Sequence, residues 1–169
     1  EALTTFLSLH PDHTRVADAF FLRATARRGL GEVEGALSDY DAYLVARPGR
    51  IDSYIEEWSG DLLAASGRHL EAAARYQAAA CQPRLGSPAL MHIKASRAFL
   101  DGQDASSALS SADLALQTAP DDFTRASANL YAGRALVALE DAQAGYARWL
   151  ESVEKYPGAR DTYLALIDL

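Results

Sequence analysis

Apolar and polar residues recur along this chain with the rhythm of helices that each bury one face, and residues 31–48, GEVEGALSDYDAYLVARP, carry the pattern most clearly. A glycine closes one helix, and the next presents Ala36, Tyr40 and Tyr43 on one face until Pro48 stops it. The small residue early in that helix returns as Ala72, Ala108 and Gly145, at steps of 36, 36 and 37 residues, and the stop returns at Pro83, Pro120 and Pro157. A fixed period of this length marks stacked supersecondary units, none of which can bury its apolar face alone.

The spacing predicts helical hairpins over 17–30 and 32–46, 53–66 and 69–81, 89–100 and 105–118, and 124–139 and 142–155. Gly29 and Gly31 would form the first turn and Gly67 the second, with Ser87 and Pro88 as the N-cap and first position of the fifth of these helices. Residues 1–10 read as the end of a second helix, and Asp161 or Thr162 would cap a final one. The expected architecture is all-α, one solenoid over 1–169. It divides into a half-repeat 1–16, repeats of about 17–52, 53–88, 89–125 and 126–160, and a half-repeat 161–169. Leu3, Phe6 and Leu9 at one end, and Leu164, Ile167 and Leu169 at the other, have no partner in the chain by this reading. That predicts a segment of a larger protein, or end-to-end self-association.

Twelve residues before each small residue of a second helix stands another, at Ala24, Gly60, Ser96 and Gly133, where the two helices of a hairpin would cross. Three further on come Arg27, Leu63, Phe99 and Leu136, and in the second helices Tyr40, Tyr76, Ala112 and Trp149. Apart from Arg27 and Ala112, these are expected as large side chains filling the space between hairpins.

On these residues the units resemble tetratricopeptide repeats, with Gly31, Ala36, Tyr40 and Pro48 the best match. The resemblance covers nearly the whole chain and implies a right-handed superhelix of antiparallel helical hairpins with a concave groove. Departures are Tyr43 and Ser152 where the family favours Ala, Ala112 where it favours an aromatic residue, and a period longer than about 34 residues. The phrases FLSLHPDHTRVADAFFLRA and EKYPGARDTYLALIDL are similar to the family's cell-envelope branch, which includes outer-membrane assembly lipoproteins and the superhelical arms of bacterial soluble lytic transglycosylases. That similarity implies a noncatalytic arm of a lytic transglycosylase-like envelope protein, contacting peptidoglycan through its parent enzyme. A stand-alone scaffold taking a partner peptide in its groove is the alternative.

Composition narrows the function further. A net charge of −7, with Lys94 and Lys155 the only lysines, argues against nucleic acid as a partner. No apolar run is long enough to insert in a membrane, and no basic-then-apolar leader opens the sequence. Cys81 stands alone, so no internal disulfide forms and the compartment stays undecided on that count, with the envelope favoured over the cytoplasm by the resemblance. His10 and His13 flank Pro11 without further ligands, and Asp121 and Asp122 suit a helix start better than a carboxylate pair. The serines of ASSALSSADL read as an outer helix face. No catalytic motif, metal-ligand set or cofactor-binding glycine pattern is present.

The first helices of the hairpins carry the candidate site. In phase with the small residues run Leu22, Trp58, Lys94 and Tyr131, then Thr25, Asp61, Arg97 and Arg134, with Tyr54 one turn earlier and Phe21 alongside. Aromatic residues interleaved with arginine suit a binding surface. Phe21, Tyr54, Trp58, Asp61, Lys94, Arg97, Tyr131 and Arg134 are therefore the expected partner-binding groove. The competing expectation is that the rings pack between hairpins while the charges are solvated.

Overall fold

The structure, a computed structural model, describes residues 1–169 throughout and contains ten helices and no strand. They are α1 (Ala2–Leu9), α2 (Val16–Gly29), α3 (Val33–Ala46), α4 (Asp52–Ala65), α5 (His69–Cys81), α6 (Ala89–Asp101), α7 (Ala105–Thr118), α8 (Asp122–Ala138), α9 (Ala142–Lys155) and α10 (Arg160–Asp168). The pairs α2/α3, α4/α5, α6/α7 and α8/α9 form antiparallel hairpins stacked in sequence order, flanked by α1 and α10. No helix is long and apolar enough to cross a membrane.

Every hairpin turns in the same way. The residues at its apex, Gly31, Gly67, Gln103 and Glu140, all have positive φ, at 74°, 80°, 62° and 66°. The following amide reaches back over the turn each time: Glu32 to the Arg27 carbonyl, Arg68 to Leu63, Asp104 to Phe99 and Asp141 to Leu136, at 2.8–2.9 Å. This closure satisfies carbonyls that the end of a helix leaves open. Gly29, expected in the turn, is instead the last residue of α2. Two expected caps also shift. Pro88 rather than Ser87 is the N-cap of α6, while Ser87 Oγ accepts from the Ala89 amide and donates to the Thr118 carbonyl, tying the start of α6 to the end of α7. Neither Asp161 nor Thr162 caps α10, which already begins at Arg160. Thr162 Oγ1 donates to the Tyr156 carbonyl.

Ala24, Gly60, Ser96 and Gly133 are all buried, and they sit at the crossings. A Cβ on Gly60 would fall 2.6 Å from Tyr76 Cε1, and one on Gly133 2.1 Å from Trp149 Nε1. The rings of Tyr76 and Trp149 thus close their own hairpins and also reach the next element, Tyr76 under Lys94 of α6 and Trp149 in a cluster with Ala165 of α10. Where Ala112 replaces the ring, the partner is Ser96, whose hydroxyl donates to the Ala108 carbonyl of α7 at 2.8 Å. A hydrogen bond stands where the α4/α5 and α8/α9 hairpins place an aromatic contact.

Arg27 is explained by α3. Asp39, 2% exposed, accepts from Arg23 Nε and Nη2 at 2.8 and 2.7 Å and from Arg27 Nη1 at 2.8 Å. Arg23 also donates to Thr4 Oγ1 of α1 at 3.2 Å, so the same cluster docks that helix. The serine run of α7 is not wholly an outer face, since Ser111 is buried. Neighbouring hairpins are cross-linked at about one repeat's spacing by Arg75–Asp41 at 2.8 Å, Arg148–Asp113 at 2.7 Å, Arg68–Glu34 and Arg134–Asp168 at 2.6 Å. Pairs this exposed add little stability each, at most about 1 kcal/mol.

Candidate binding groove

The first helices of successive hairpins, α4, α6 and α8, and then α10, present their polar stripes to a common trough. Two cavities lie along it. The first, about 370 Å³, lies between α4, α5 and α6 and is lined by Asp61, Ala64, Tyr76, Lys94, Arg97 and Asp101, among others. The second, about 480 Å³, lies between α6, α8 and α10 and is lined by Arg97, Leu100, Tyr131, Arg134, Arg160 and Asp161, among others. Arg97 and Asp101 belong to both, so the two cavities form one continuous groove. Both volumes fall at the lower end of the range of small-ligand pockets, about 300–1,000 Å³.

A polar network builds the first cavity. Lys94 Nζ donates to Glu57 Oε1 at 2.7 Å and Asp61 Oδ1 at 2.9 Å, and Tyr76 donates its hydroxyl to the same Asp61 oxygen at 2.8 Å. Arg84 completes Glu57 from the loop before α6, at 3.1 Å. Burial pulls the Lys94 ammonium down, and the hydrogen bonds to Glu57 and Asp61 more than offset this, holding it above an ordinary lysine. Burial, with the bond to Asp61, pushes the Tyr76 hydroxyl well up, so it stays a donor. Lys94 is therefore neither a solvated charge nor a free one: it bridges α4 and α6 at the floor.

The second cavity is less self-satisfied. Arg134 uses Nε for Asp168 at 2.6 Å and stands 5.9 Å from the Tyr131 ring. Arg97 comes no closer than 3.8 Å to Asp101, beyond a hydrogen bond, and is 69% exposed. Arg160 makes no ion pair or hydrogen bond through its side chain. Asp161 is occupied, accepting from Ser127 Oγ at 2.5 Å.

Five of the eight expected groove residues thus line this trough: Asp61, Lys94, Arg97, Tyr131 and Arg134. The other three gather elsewhere. Trp58 lies between Phe21, Tyr40 and Tyr54, with ring centroids at 5.9, 6.3 and 6.4 Å, and Arg28 stacks over it at 5.3 Å. Phe21 also meets Tyr43 at 5.8 Å. These rings fill the joint between the first two hairpins, where α3 and α4 approach less closely than α5 and α6 or α7 and α8. Arg160 was not visible as a groove residue in the sequence because its helix lacks the small residue that set the phase. No cluster of three or more metal-ligating side chains occurs, and His13 Nδ1 accepts from the Arg15 amide in a turn.

Solved structures share this fold. The chain is similar to the crystal structure of MamA protein, with a TM-score of 0.68 and 14% identity over 92% of this chain and 83% of that one. It is also similar to YrrB, described as a TPR protein with an unusual peptide-binding site, with a TM-score of 0.61 and 15% identity over 99% of this chain and 84% of that one. The fold is that of a tetratricopeptide-repeat superhelix. No protein-family model and no curated protein matches the sequence. The trough of α4, α6, α8 and α10 is built from the first helices of the repeats, and of the stripes singled out by phase Asp61, Lys94, Arg97, Tyr131 and Arg134 line it.

Proposed function

We propose that this chain is a noncatalytic interaction module that holds a segment of a partner peptide or protein in the groove of α4, α6, α8 and α10. The observation that carries the reading is the continuous trough through Arg97 and Asp101, whose floor is internally paired while its upper wall keeps donors without acceptors. Support comes from YrrB, a protein of the same fold whose description names a peptide-binding site. The test is titration calorimetry with a binding peptide selected from a library. Tyr131→Ala weakens binding by about 2 kcal/mol while leaving thermal stability nearly unchanged, whereas Trp58→Ala lowers stability because its ring fills a joint. Unchanged affinity in Lys94→Gln, Tyr131→Ala and Arg134→Gln together overturns the reading.

A narrower version makes the chain the superhelical arm of a lytic transglycosylase-like enzyme of the cell envelope. Its support is the phrasing around the helix ends, HPDHTRVADAFF and YPGARDTYLALI. The coding sequence on either side tests it: an export signal and a glycan-cleaving domain are expected, with no product from peptidoglycan treated with this chain alone. A cytosolic context without such a domain leaves the stand-alone scaffold.

A further inference from the structure

We infer that the groove's partner is an acidic segment, with two or more carboxylate side chains about three residues apart, running through the second cavity across α6, α8 and α10. The inference rests on the groove reading above and names the chemistry that fills it. In a chain of net charge −7, this cavity gathers Arg97, Arg134 and Arg160 on three consecutive first-position helices. Arg134 spends only Nε on Asp168, so both of its terminal nitrogens lack a protein acceptor. Arg97 and Arg160 have no hydrogen-bonded carboxylate: Asp101 stays 3.8 Å from Arg97 and Asp161 accepts from Ser127, so three guanidiniums face two carboxylates across the cavity. A guanidinium fork aimed into a groove with unfilled donors matches a carboxylate in shape and charge.

The spacing selects a run of acidic side chains over a single terminal carboxylate. Neighbouring packed helices lie about 8–10 Å apart, so cations rooted on successive helices are set at a pitch that lets each take a separate carboxylate. An extended peptide advances about 3.3 Å per residue, and carboxylates three residues apart match that pitch. Leu100, Tyr131 and Leu164, which line the same cavity, offer an apolar surface to the residues between them.

The experiment selects binders of the intact chain from two phage-displayed libraries of random dodecapeptides, one with the peptide's carboxyl end fused to the coat protein and one with it free. The expected result is enrichment in the fused library of peptides with Asp or Glu pairs three residues apart. A synthetic copy of such a peptide should bind less well as salt rises. It should also lose affinity about tenfold or more when its acids become amides, or when the protein carries Arg97→Gln or Arg160→Gln, as for a lost charge-assisted hydrogen bond. Arg50→Gln, on a remote loop, leaves it unchanged. Enrichment only with a free carboxyl end overturns the inference, as does enrichment of groove-dependent peptides without acidic residues. That second result leaves the groove reading standing, whereas no enrichment in either library ends both.

Discussion

At Gly133 the absence of a side chain decides how closely α8 and α9 meet. Trp149 lies over it and donates its indole Nε1–H to the Leu130 carbonyl at 3.1 Å. Gly133→Leu must displace that ring, and a loss of about 1–3 kcal/mol is expected from overpacking, read as a lower midpoint in denaturant. Glu140 works in the opposite direction. It takes the left-handed turn conformation, at φ 66°, that Gly31 and Gly67 supply in the first two hairpins, and its side chain is exposed. Glu140→Gly therefore stabilises the chain, by about 0.5–1 kcal/mol once the extra freedom of glycine in the unfolded state is set against the relief of strain. His92 brings a pH dependence. Burial lowers its pKa below the ordinary 6.5, and its Nδ1 has no partner. Above 6.5 the folded and unfolded chains both hold it neutral. Below that value the unfolded chain takes up a proton that the folded chain resists, so stability falls with pH towards the depressed folded value. His92→Leu should flatten that part of the stability profile. The crossing residues were legible in the sequence because helical phase alone places them. The shared conformation of Gly31, Gly67, Gln103 and Glu140 was only half legible, since two of the four residue types give no sign of positive φ.

Helices and their joints show where pattern reading succeeds and where it stops. Ten helices follow from period, glycines and prolines, because each unit repeats the same local chemistry. The Asp39–Arg23–Arg27 cluster could not be read this way. Arg27 occupies a position that is Leu63, Phe99 and Leu136 in the other units, and only the fold reveals that an aspartate of α3 receives it. Asp39→Asn should cost about 3 kcal/mol, the lower end for breaking a buried pair because both arginines keep some exposure. Hydrogen exchange should show α1, which the cluster holds through Thr4, opening first. The aromatic joint was only half legible for a related reason. Trp58 lies in phase with Lys94 and Tyr131, which line the groove farther along, but at this joint its ring packs with those of Phe21 and Tyr54 and fills the gap. Periodicity gives a side chain's angular position on its helix and not the distance to the next one.

The stack as a whole divides into a larger apolar cluster, reaching from α2 into α8, and a smaller one of Leu130, Trp149, Ala165 and the adjoining Leu164. The second cavity opens where the two clusters meet, between α6, α8 and α10, so the groove's least paired wall lies at a boundary in the packing. In a repeat stack held by nearest-neighbour contacts, such a boundary is where a bound segment adds most cohesion. The account turns on that wall, and backbone amide NMR of the labelled chain during titration with a library-selected peptide tests it most directly. The prediction is that the largest shift changes cluster on α6, α8 and the start of α10, including Arg97, Tyr131, Arg134 and Arg160. Changes confined to the outward faces of α5, α7 and α9, or to the Trp58 joint, would contradict it.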